Sequence, residues 1–120
     1  MDAGKAVLIV EMDYAARVTL RLALESAGYE VVSTTHWQGG LKLFSLVKNP
    51  ALIFLDVTPS MINVDEFREV IKANRALAEI PIIVTSESLS PKELAWADAF
   101  MHKPLAPDLI RKTAHEHSHS

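Results

Sequence analysis

Cysteine is absent from this 120-residue chain, which removes disulfides, thiolate-bound zinc, iron–sulfur clusters and thiol nucleophiles from consideration. Long apolar runs are missing too. Ala6 to Val10 and Ala51 to Leu55 hold five residues each, against the roughly 20 that a bilayer-spanning helix needs. Met1 to Lys5 has neither the h-region nor the cleavage site of a secretory signal. An excess of positive charge is also lacking. Twelve Lys and Arg against 15 Asp and Glu give a net charge of −3 with the basic residues scattered, so no nucleic-acid footprint is expected. These absences describe a cytoplasmic protein that engages neither membrane nor nucleic acid.

What is present is enough apolar material for one core. Hydrophobic residues make up 49% of the sequence, sufficient for a single domain and too short a chain for two. Short β-branched runs alternate with longer stretches of helical periodicity. The runs are Ala6 to Val10, Glu30 to Thr34, Ala51 to Leu55, Ile80 to Thr85 and Phe100 to His102. Three of them are apolar almost throughout, as strands covered on both faces must be. Between the first two, Ala16, Leu20, Ala23, Leu24 and Ala27 share one helical face, and Gly28 follows as a C-terminal stop. A second helix is predicted from about Gln38 to Val47, weakened by Gly39 and Gly40, with Thr35 as a candidate cap. Asp65 to Ala76 forms a third, and Ser90-Pro91 with Glu93 opens a short fourth ending near Ala97. Pro107 and Asp108 open a fifth. The domain then spans residues 1–114, and His115 to Ser120 is expected to be a disordered, histidine-rich tail of native or artificial origin.

Alternating strands and helices with right-handed crossovers predict an α/β fold: a doubly wound, five-stranded parallel sheet with helices on both faces. In such folds ligands bind outside the carboxyl ends of the strands. Those ends carry Glu11, Met12 and Asp13, then Asp56, then Thr85 and Ser86, then Lys103-Pro104. A carboxylate can act as an oxygen nucleophile towards a phosphoryl group if cations offset the charge on both partners. Acidic neighbours that bind magnesium, a lysine and a hydroxyl supply such surroundings. Asp56 considered alone could equally cap its loop.

Together these segments resemble the receiver domains of two-component response regulators, from Val7 to about Ala114. Val7-Leu-Ile-Val-Glu11-Met12-Asp13 is similar to the family's first strand and acidic pair, and Phe54-Leu55-Asp56 to the strand that ends in the phospho-acceptor. Pro81-Ile-Ile-Val-Thr85-Ser86 is similar to the strand with the switch hydroxyl, and Lys103-Pro104 to the Lys-Pro pair joined by a cis bond. The resemblance implies the CheY-like strand order 2-1-3-4-5, which is the order given for CheY itself. It also implies Asp56, Thr85 and Lys103 as the phosphotransfer residues, and magnesium held by Glu11, Asp56 and the main-chain carbonyl of Thr58. A histidine kinase or phosphotransfer protein would be the donor, and an output protein of unknown identity the reader. Such a domain is not an enzyme beyond phosphotransfer to its own Asp56.

Met12 departs from the pattern where the family has a carboxylate ligand, and a thioether is a poor ligand for a hard cation. Glu11, Asp56 and Lys103 sum to −1, whereas three carboxylates and a lysine sum to about −2 and call for a divalent ion. In the segment after Asp56, proline comes one place early at Pro59, and Asn63-Val64 stands where the family tends to have an acid and a glycine. The stretch between Thr85 and Lys103 is also shorter than in the family by about one helical turn. Two readings therefore stand side by side. One is a phosphorylatable receiver with weakened magnesium dependence; the other is a pseudo-receiver, a protein-interaction module indifferent to phosphorylation. A flavodoxin-like cofactor protein fits less well, because Glu11-Met12-Asp13-Tyr14 is no phosphate cradle.

Overall fold

In the computed structural model, which describes residues 5–48, 50–57, 64–75, 77–87 and 96–118, five strands form one parallel sheet. The strands are β1 (Ala6–Val10), β2 (Glu30–Thr34), β3 (Pro50–Asp56), β4 (Ile82–Ser86) and β5 (Ala99–His102). Their order is β2-β1-β3-β4-β5, as the resemblance implies. Helices α1 (Tyr14–Ser26), α2 (Trp37–Ser45), α3 (Val64–Ala73) and α4 (Pro107–His117) alternate with them. The short helix predicted over Ser90 to Ala97 falls largely outside the described residues.

The strand residues alternate between two cores because successive side chains point to opposite faces. Leu8, Val10, Ile53, Leu55, Ile82 and Val84 meet Trp37 and Phe44 of α2 and Phe67 and Ile71 of α3. Val7, Ile9, Leu52, Phe54, Ile83 and Met101 meet Leu20 and Leu24 of α1 and Ile110 and Ala114 of α4. Both faces of β1 are therefore dry, which is why its five residues are all apolar.

Local chemistry sets where each helix begins and ends. Asp13 accepts from the amide of Ala16 at 2.8 Å and starts α1. Gly28, at φ 96°, closes it, while the amides of Gly28 and Tyr29 return to the carbonyls of Glu25 and Leu24. The cap of α2 is His36 and not Thr35, whose hydroxyl lies 3.0 Å from the His36 ring. The two glycines of α2 differ in role. A Cβ on Gly40 would sit 2.6 Å from Thr34 Cγ2 and 2.8 Å from Thr34 Cβ, whereas one on Gly39 meets nothing. Gly39→Ala should therefore raise stability by about 0.5–1 kcal/mol through helix propensity. Gly40→Ala should lower it by pushing α2 off β2, and urea midpoints of the two variants should move in opposite directions.

The expected tail is corrected in part. α4 continues through His115, Glu116 and His117, and Ser118 is its buried C-cap. The alternation of histidine with polar residues concealed a packing partner: the Ser118 hydroxyl lies 2.9 Å from that of Tyr29, and the Lys5 ammonium donates to the Ser118 carbonyl at 3.3 Å.

Candidate functional site

Parallel register brings the strand ends to one rim. Asp56 is the last residue of β3 and is paired in register with Thr85 of β4. The amide of Val57 donates to the Thr85 carbonyl at 3.0 Å, and that of Lys103 to the Ser86 carbonyl at 2.8 Å. Glu11 follows β1, and its amide donates to the Thr34 carbonyl of β2 at 3.0 Å. The Lys103-Pro104 bond is cis.

At the centre of this rim the Lys103 ammonium lies between two carboxylates. It is 2.9 Å from both oxygens of Glu11 and 3.3 Å from Asp56 Oδ1. Glu11 is fully buried and Asp56 is 9% exposed. Burial pushes the Glu11 carboxyl up to about 7; the Lys103 hydrogen bond opposes the shift and the Asp56 charge adds to it. Burial also works to lower the pKa of Lys103, but the Glu11 hydrogen bond and the charges of Glu11 and Asp56 outweigh it and raise it. Lys103 is thus a fixed cation, and Glu11 can take up a proton near neutrality.

That shift has a stability consequence. In the unfolded chain Glu11 titrates near its ordinary 4.5 and in the fold near 7, so between these pH values the native state binds more protons. The associated stability is full below the lower value and is lost as pH rises through the upper one. Unfolding in urea should show the wild type losing on the order of a few kcal/mol between about pH 5 and pH 8. Glu11→Gln should flatten that slope.

Sequence reasoning passed over two contributors. Arg17 donates to the Glu11 carbonyl at 2.9 Å and to the Met12 carbonyl at 3.3 Å, and its guanidinium stands 5.6 Å from the Tyr14 ring centroid. It pins the turn that presents Glu11. The other is the junction from β2 to α2, which supplies Thr35, His36 and Trp37 to a small cavity shared with Met12 and Asp56. Trp37 is 4% exposed. A larger cavity of about 480 Å³ backs onto Lys103 and Pro104 from the α1 side, with Asp13, Thr19 and Glu87 along its wall.

Magnesium at this rim would draw on oxygen ligands. Glu11 Oε2 accepts from Lys103 and from the Asp13 amide, Glu11 Oε1 lies 2.9 Å from the same ammonium but has no hydrogen-bond partner among the described residues, and Met12 contributes only sulfur. Among the described residues no group of three or more His, Cys, Asp or Glu side chains is placed to hold a metal. Thr58, the third expected ligand, lies outside them. Among the described residues Glu11 and Asp56 are therefore a poor ligand set for magnesium, which is usually bound through one or two carboxylates with water in its remaining positions. Thr85, 1% exposed, has a hydroxyl with no hydrogen-bond partner among the described residues.

No family model matches the chain. Among curated proteins it is similar to the circadian input-output histidine kinase CikA of Synechocystis sp., with 27% identity over 117 residues. The match takes in 92% of this chain, which spans 15% of the length of that relative. Solved structures give closer overlap in shape. The receiver domain of a sensor histidine kinase from Pseudomonas aeruginosa, described with a magnesium ion coordinated in its active-site cleft, superposes with a TM-score of 0.83 at 18% identity. That match covers 98% of this chain and 100% of the other. The chemotaxis response regulator CheY4 of Vibrio cholerae gives a TM-score of 0.80 at 22% identity, over 93% of this chain and 97% of that one. A response regulator from Thermotoga maritima gives 0.78 at 20% identity, over 97% and 98%. No helix among the described residues is long and apolar enough to cross a membrane. The overlap in shape extends over nearly the whole chain, and with the sheet order β2-β1-β3-β4-β5 the protein has the fold of a CheY-like response-regulator receiver domain.

Proposed function

We propose that the chain is a two-component receiver in which Asp56 accepts a phosphoryl group with weakened magnesium dependence. The observation that carries this reading is the seating of Asp56: a carboxylate at the end of β3, 9% exposed, with the Lys103 ammonium 3.3 Å away and Thr85 paired beside it. One Asp56 oxygen attacks phosphorus, the bond from phosphorus to the donor nitrogen or oxygen breaks, and the leaving group takes its proton from solvent. Lys103 offsets the charge that accumulates on the transferred oxygens. The Thr85 hydroxyl, which has no hydrogen-bond partner among the described residues, would donate to one of them. The donor is a histidine kinase or phosphotransfer protein, and the response is a shift of surface towards an output protein. The chain acts on itself once per signal and turns over no external substrate. Intact-mass measurement after incubation with a small acyl phosphate, with and without magnesium, tests the proposal: one phosphoryl group should be gained in both arms, faster with the metal by a modest factor.

A specific observation favours a second reading. Lys103 sits nearer to Glu11 than to Asp56, at 2.9 Å against 3.3 Å, and its hydrogen bond goes to Glu11 Oε2. If that pair holds Lys103 back from an incoming phosphoryl group, the fold serves as a pseudo-receiver whose partner binding is indifferent to Asp56.

A further inference from the structure

Opposite Lys103, the rim is closed by Met12 and the first turn of α2. Met12, Thr35, His36, Trp37, Gln38 and Asp56 enclose a cavity of about 20 Å³, room for a single oxygen-sized group. Three features make it a place for an anionic oxygen. The Trp37 indole N–H is buried, in a residue 4% exposed, and has no acceptor among the described residues. An indole nitrogen can only donate, so whatever satisfies it must bring an acceptor. The N-terminus of the nine-residue α2 has no side-chain cap, which leaves its first-turn amides and the positive end of its dipole at the cavity wall. Asp56, the proposed acceptor, forms another part of that wall.

We propose that Trp37 is a binding residue for the phosphoryl group on Asp56: its indole N–H donates to the one phosphoryl oxygen that enters the cavity between Met12 and the start of α2. This rests on the reading of Asp56 as phospho-acceptor. The phosphoryl group has three outer oxygens to satisfy. Lys103 and Thr85 lie on the β4 and β5 side, and the third oxygen faces Met12, whose thioether offers neither charge nor a proton. The Trp37 N–H and the α2 amides supply on that side the donors that Met12 cannot. The position is a rigid one, since the indole packs edge-on against Phe67 with ring centroids 5.5 Å apart.

The full chain and its Trp37→Phe variant, which keeps an aromatic ring against Phe67 and loses only the N–H donor, are compared by intact mass with an acyl phosphate in the presence of a chelator. The variant should take up the phosphoryl group about tenfold more slowly, or lose it about tenfold faster, the effect of one hydrogen bond to a charged group. Its melting temperature should stay close to that of the wild type. In a Trp96→Phe background Trp37 is the sole tryptophan, and its fluorescence should change on phosphorylation but not when Asp56→Asn is added; this arm holds even if Trp37→Phe folds poorly. Equal uptake and lifetime in the variant, or unchanged Trp37 fluorescence in a chain that has gained the phosphoryl group, overturns the role of Trp37 and leaves the Asp56 reading standing. A wild-type chain that gains no mass overturns both.

Discussion

Asp56→Asn should show no mass gain under conditions in which the wild-type chain acquires one phosphoryl group. The amide that replaces the carboxylate is not a competent nucleophile towards phosphorus, so uptake should fall to background. The fold should survive the change. Asp56 and Glu11 are two carboxylates sharing one ammonium, and removing one leaves Lys103 paired with Glu11 and relieves repulsion between like charges. The Glu11 carboxyl should then titrate closer to its ordinary value, because the Asp56 charge is one of the causes that raise it. A mass gain that persists in Asp56→Asn would place the acceptor elsewhere, with the exposed carboxylate of Asp13 the nearest candidate on the rim, and would end the case for Asp56.

The second large effect belongs to Met12. Met12→Asp adds an oxygen ligand beside Glu11 and Asp56 and brings the local charge to about −2. Magnesium affinity measured by calorimetry should rise by at least tenfold to a hundredfold, since even outer-shell partners of a metal are typically worth that much. Phosphoryl uptake should become strongly metal-dependent in this variant. Without metal the variant should be less stable than the wild type, because a third carboxylate joins two that already compete for Lys103. Tight magnesium binding with no phosphoryl uptake would move preference to the pseudo-receiver reading and direct attention to the segment from Pro59 to Val64.

The sheet was legible because burial on both faces leaves little freedom of composition. β1 and β2 fall on the predicted residues, and β3 differs only by Pro50 and Asp56 at its ends. β4 begins later than predicted, at Ile82, and runs one residue further to Ser86. The helix ends were less legible, since they depend on contacts distant in sequence. Nothing near His117 announces that α4 persists there; the hydroxyl that holds its end belongs to Tyr29, 89 residues away. At the rim, Glu11, Asp56, Thr85 and Lys103 converge as the spacing of strand ends implies. Their phosphotransfer roles rest on the experiments above. Missing from that reading was the junction from β2 to α2. As an edge strand β2 is only partly buried, so its pattern draws no attention to the rim it shares. Whether the Lys103 ammonium leans towards Glu11 or Asp56 is a contest of distances, which no spacing in the sequence encodes.

The clasp between Lys5 and Ser118 stands apart from the rim. Lys5 precedes β1 and Ser118 follows α4, and the two are joined at 3.3 Å. Both therefore lie at the amino edge of the sheet, the opposite side of the molecule from Glu11, Asp56 and Lys103. Lys5 and Ser118 thus mark one spot, and the strand-end rim faces away from it. A partner approaching Asp56 would come from the side opposite this clasp and would leave it undisturbed.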